Sequence, residues 1–139
     1  VLLIGGVVLG AALDRGRVYP SSGGDVEYAG PIAGEGASGE LEVVKIGIGR
    51  VVSLDTFDLP ILPTSEYYEV WFVAPDDSPA APNRISAGTF HPDADGRSEV
   101  TFAAAVDPKK YPVVEITAEP GDGDPTPTGP VVMRVQIVE

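Results

Sequence analysis

From Leu41 to Val138 the apolar residues recur at alternate positions in short runs, each closed by glycine, proline or aspartate. Alternation of period two marks a strand with one face on a core, whereas a helix repeats every 3.6 residues. EYYEVWFVA (66–74) carries the clearest pattern. Tyr68, Val70 and Phe72 share one face, and Tyr67, Glu69, Trp71 and Val73 share the other. Apolar residues on both faces predict a central strand whose outer side is only partly in water. VVEITAE (113–119) alternates Val114, Ile116 and Ala118 with Glu115, Thr117 and Glu119. VVMRVQIV (131–138) sends Val131, Met133, Val135 and Ile137 one way. LEVVKIGI (41–48) and GRVVSLDTF (49–57) are β-branched runs, with Gly47 and Gly49 marking a bulge or bend between them. RISAGTF (84–90), the turn HPDADG (91–96) and RSEVTFA (97–103) read together as a hairpin.

About seven strands result, joined by loops at LPILPTS (59–65) and PDDSPAAPN (75–83), with room for one helical turn in AAVDPKKYP (104–112). The predicted class is all-β, an antiparallel β-sandwich of Ig-like architecture, since two packed sheets bury such strands most simply. Residues 18–39, VYPSSGGDVEYAGPIAGEGASG, show little periodicity and read as a Gly/Ser/Pro-rich tether. The expected organisation is an apolar anchor-like segment over 1–17, the tether over 18–39 and the sandwich over 40–139.

The opening run VLLIGGVVLGAAL is uncharged and is followed at once by Asp14, Arg15 and Arg17. Thirteen helical residues span roughly 20 Å, short of a hydrocarbon core of about 30 Å. With Val1 in first place, the run is expected to be the C-terminal part of a single-pass membrane anchor that continues upstream. The alternatives are a buried first strand or a segment packed on a partner. In each case Val1, Leu2, Leu3, Ile4, Val7, Val8, Leu9 and Leu13 are the docking residues.

Composition supports the class and removes several functions. Glycine (17) and proline (14) together exceed a fifth of the 139 residues, too punctuated for a helical protein. The formal charge of −12, with 21 acidic against 9 basic residues, repels phosphate backbones, so no nucleic-acid partner is expected. Cysteine is absent, which rules out disulfides and thiolate metal sites.

Candidate chemistry is sparse. Asp93 and Asp95, with Gly96, resemble half a calcium loop, but His91 and Phe102 stand where carboxylates belong. A hairpin turn accounts for them better. A weak calcium site shared with Asp76, Asp77, Asp122 or Asp124 is the alternative. One histidine cannot build a zinc site, and His91 has no nucleophile elbow to serve. GEGASG (34–39) lacks the Gly-Lys-Ser/Thr end of a phosphate loop. Trp71, central in its strand, reads as core rather than as a sugar platform. Neither catalysis nor a cofactor is expected. EPGDGDPTPTGPVVM (119–133) reads as a corner, its prolines unable to donate to a central ladder.

Three ordered stretches carry a family resemblance: LPILPTSEYYEVWFV (59–73), ISAGTFHPDADGRSEVTF (85–102) and ITAEPGDGDPTPTGPVVM (116–133). Together, over roughly residues 40–138, they resemble the C-terminal extracytoplasmic domain of anti-sigma-K factors, the RskA family. The resemblance implies a membrane-anchored regulator. In that family a cytoplasmic segment holds a sigma factor, one helix crosses the membrane and this domain lies outside, with regulated proteolysis releasing the sigma factor. The implied partners are proteins: a sigma factor reached only through a segment outside this chain, and proteases or neighbouring subunits. The alternative is a structural or accessory subunit whose apolar N-terminus docks into a neighbour within a membrane complex or extracellular assembly.

Overall fold

The computed structural model describes residues 24–139. Eight strands follow in order: β1 (Asp25–Gly34), β2 (Ala37–Ile46), β3 (Gly49–Thr56), β4 (Tyr67–Val73), β5 (Arg84–Phe90), β6 (Ser98–Ala104), β7 (Val113–Glu119) and β8 (Val131–Gln136). The expected all-β class holds, and the described residues contain no helix. The separate sheets of an Ig-like sandwich are not what the pairing records. One antiparallel sheet of eight strands runs β5-β4-β7-β8-β1-β2-β3-β6 and curls into a nearly closed barrel. Its weakest join is between β1 and β8, which pair only at Ala33 and Arg134.

The inward positions are those the alternation predicts. Val70 and Phe72 of β4, Val114 and Ile116 of β7, Val43 of β2, and Val52 and Leu54 of β3 are fully buried. Truncating one of these to alanine costs about 2–5 kcal/mol, because the surrounding barrel cannot collapse onto the hole. Tyr68 is buried with them. Its hydroxyl donates to the Pro60 carbonyl at 2.6 Å, and its ring stacks on Phe90 with centroids 5.6 Å apart. Burying a tyrosine is tolerable only when its hydroxyl is satisfied in this way.

Three local readings change. Asp25–Gly34, read as part of an irregular tether, is β1, paired along its length with β2. Its glycines and Pro31 hid the strand, and the near-absence of a ladder to β8 lets Pro31 sit there without a donor. The expected hairpin over 84–103 is not one. β5 pairs only with β4 and β6 only with β3, so the two form the opposite edges of the sheet. They meet across the barrel seam, where Phe102 lies over Gly88: a Cβ there would stand 2.3 Å from the ring, and Gly88 has φ of +149°. Finally, a bulge in the pairing with β7 turns Val131 out to solvent and brings Val132 against the core. The turn over 105–112 closes through Lys110 and Tyr111 amides donating to the Asp107 carbonyl, one turn that goes no further.

Candidate functional site

The outer face of β4, β5 and β7 is where the sequence placed its polar positions, yet it is covered. Trp71, Thr117 and Glu119 are 5%, 2% and 3% exposed. Trp71 packs there with Val73 and Val113, apart from the barrel core, so it is buried as expected but not in the main core.

A chain of hydrogen bonds explains why this face can be dry. The Trp71 indole N–H donates to Thr117 Oγ1 at 2.9 Å, and the Thr117 hydroxyl donates to Glu119 Oε2. Glu119 Oε1 accepts the backbone N–H groups of Thr128 and Gly129, both at 3.1 Å. A buried carboxylate is tolerated when its lone pairs are filled in this way. The carboxylate therefore clamps the Pro-Thr-Gly-Pro segment back over the sheet, where Gly129 passes so close that a Cβ would lie 1.7 Å from the Ala118 carbonyl oxygen. The stretch 119–133 is indeed a corner, and Glu119 is what holds it.

Beside the clamp lies a cluster of ion pairs. Arg84 on β5 grips Asp77 through two bonds, one of them Nε to Oδ1 at 3.2 Å, and reaches Glu115 at 3.2 Å. Arg134 on β8 meets the other Glu115 oxygen at 3.3 Å. The Arg84 guanidinium also stands 5.6 Å from the centre of the Trp71 ring, within cation–π range. Asp77 further accepts the Asn83 amide at 2.7 Å, which ties the 75–83 loop to β5. The bond from Arg84 holds the Asp77 carboxyl below the usual aspartate range; burial opposes this, and the Asn83 amide adds to it. Burial pushes Glu69 the other way, above the usual glutamate range; the bond from Ser86 resists this and the charge of Glu119 adds to it.

Between the 75–83 loop and the Pro-Thr-Gly-Pro segment a groove of about 430 Å³ remains, with Arg84 and Thr117 on its floor and Pro79, Pro82 and Pro127 among its walls. Its charged groups, Arg84 and Asp77, are paired with each other. Trp71 and the corner were legible in the sequence. Arg84, Asp77 and Glu115 were not legible as a unit, because they come from β5, a loop and β7, and no local spacing connects them.

The other predicted site residues are placed as follows. Asp93 Oδ1 accepts the backbone N–H groups of Asp95 and Arg97 at 2.8 and 3.0 Å, and Gly96 has φ of +77°. These amides hold the Asp93 carboxyl below its ordinary range. Asp122 and Asp124 serve their own loop in the same way, through the Asp124 and Thr126 amides. No group of three or more His, Asp or Glu able to hold a metal occurs among the described residues. His91 is exposed, and its carbonyl accepts a bond from Ser98. The docking residues Val1 to Leu13 lie outside the described residues. Among those described, no helix is long and apolar enough to cross a membrane.

Neither a curated protein nor a solved structure matches the chain. A family does: residues 2–131, nearly the whole length, match the family described as anti-sigma-K factor rskA, C-terminal, and the chain belongs to it.

Proposed function

We propose that this chain is the non-catalytic, extracytoplasmic part of a membrane-anchored anti-sigma regulator, and that it gates the regulated proteolysis that frees a sigma factor. The observation that carries the reading is the family match, which begins at residue 2 and so takes in the apolar run. Membership assigns an anti-sigma regulatory role, with protein partners such as a sigma factor. Anchoring by residues 1–17, an outer location for the β-domain and a gating role go further. They rest on the apolar run, on the paired and self-satisfied polar groups of the barrel, and on its surface charge.

The fold suggests how gating works. Proteases cut most readily at unpaired, exposed backbone. From Asp25 onward most of the chain is committed to ladders, so the strands of the barrel resist cleavage. The groove beside Arg84 is then the surface where a protein partner or signal engages, by shape rather than by net charge.

Sided labelling tests the location. The chain has no cysteine, so Glu35→Cys at the exposed β1–β2 turn gives a single thiol. A membrane-impermeant maleimide should label it in intact cells. Labelling that appears only after lysis would sink the extracytoplasmic assignment.

A further inference from the structure

The outer face of the sheet is apolar in one place. Strand register sets Val26 of β1, Val44 of β2, Val51 of β3 and Ala103 of β6 side by side in one row. Their side chains point away from the barrel core, which takes the alternate residues Val43, Val52 and Phe102. Val44 is covered, but Val26 is 58% exposed and Ala103 is exposed too. Beside the row, Ile46, Val51 and Ala103 border a shallow hollow of about 320 Å³, and the one charged residue on its lining, Arg50, is held by Glu27. A single exposed apolar side chain is ordinary, whereas a contiguous row with a hollow beside it marks a contact surface.

The chain enters the described structure at this face. Gly24 packs on Val44 and Ile46 so closely that a Cβ would stand 2.5 Å from Val44 Cγ1 and 2.7 Å from Ile46 Cδ1. The residues before it, 14–23, read DRGRVYPSSG, with two arginines, one aspartate and an apolar pair at Val18 and Tyr19. Further along the same outer face the sign is negative. Glu42 stands two positions from Val44 on β2, and Glu40, Asp55 and Glu99 form one row across β2, β3 and β6. Arg97 borders that row beside Asp55 and Glu99, so four carboxylates face one guanidinium.

The geometry points to residues 14–23 of this same chain as the partner of the face: Tyr19 seats in the hollow beside Val51 and Ala103, and Arg17 and Arg15 continue toward Glu42, Asp55 and Glu99. Reach permits this. From Gly24 an extended chain spans up to about 17 Å to Tyr19 and about 24 Å to Arg17. Crossing from β2 to β6 takes about 10 Å, and Asp55 lies about 13 Å along β3 from Val51. Docking within one chain needs no membrane, so it stands apart from the anchored reading above. Where that reading holds, the docked segment is kept from a protease, which takes exposed, unpaired backbone, and its release from the face is the step a signal controls.

The test uses the full chain in detergent micelles. The sequence has no cysteine, so a pair of thiols can be placed at will. Gly16→Cys is combined with Thr101→Cys on this face, or with Gln136→Cys on β8, which flanks β1 on its other side. Thr101 and Gln136 are exposed, and urea unfolding read through Trp71 checks that each variant folds. A short bismaleimide should bridge 16 to 101 within one chain about tenfold more than 16 to 136, the preference that burying one large apolar side chain supplies. Tyr19→Ala should remove most of that preference. Arg15→Gln with Arg17→Gln should lower it about fivefold, an effect that high salt reproduces. Equal bridging to 101 and 136 means that the segment roams. Bridging to neither, with both thiols singly modified, means that it lies elsewhere, and either result overturns the inference. Bridges between two molecules in place of one assign the face to a second copy and overturn it as well.

Discussion

Glu119 offers the sharpest energetic test, because one side chain is asked to hold both the outer face and the corner. Replacing it with alanine deletes the acceptor for two backbone N–H groups and for the Thr117 hydroxyl. Thr128 is exposed, so its amide can turn to water, whereas Thr117 is 2% exposed and cannot. At about 1 kcal/mol for each of the three bonds, Glu119→Ala should cost about 3 kcal/mol. Glu119→Gln keeps the shape and one acceptor oxygen. It loses charge assistance and the acceptor for the hydroxyl, for about 1 kcal/mol. Urea unfolding followed by the fluorescence of Trp71, the single tryptophan, reads both changes, and the indole sits at the head of this bond chain. The native emission maximum of the alanine variant should also shift to the red as water reaches the outer face. If Glu119→Ala costs less than about 0.5 kcal/mol, the range of an ordinary surface change, the clamp is not what holds the corner.

Three further outcomes follow from the same structure. Gly88→Ala, forced against Phe102 at a backbone angle that favours glycine, should cost about 1–3 kcal/mol in urea unfolding, and less in a Phe102→Ala background. Equal costs in both backgrounds would mean that the seam contact is not coupled. Tyr68→Phe should lose about 1 kcal/mol with the Pro60 bond; no loss would show that the hydroxyl is satisfied elsewhere. The Asp77 carboxyl has a depressed folded pKa, so its stabilisation is complete above the ordinary aspartate value and is lost as pH falls through the folded one. Asp77→Asn should therefore be less stable at neutral pH and lose less stability on acidification, and parallel stability–pH curves for the two proteins would contradict the pairing.

What the sequence revealed follows physical lines. The inward faces of β4 and β7 were legible because period-two alternation is a local signal, and the turn at Asp93 and Gly96 because its residues act on their own backbone. β1 was hidden because glycines and Pro31 weaken a strand's signature, and only the one-sided pairing with β2 accommodates them. The supposed hairpin failed at a non-local fact: Gly88 and Phe102 meet across a seam, a relation that depends on the whole sheet curling. The same holds for the candidate surfaces. Trp71 could be singled out, but Arg84, Asp77 and Glu115 converge from separate elements.

The central claim is that this domain belongs to a working anti-sigma regulator. The most direct measurement is to isolate the native gene product from detergent-solubilised membranes and determine by mass spectrometry whether a sigma factor is bound in stoichiometric amount. The account predicts one sigma factor per regulator, released when the signal that triggers proteolysis is applied. A native protein that purifies from the membrane intact and without a sigma factor, before any signal, would contradict it.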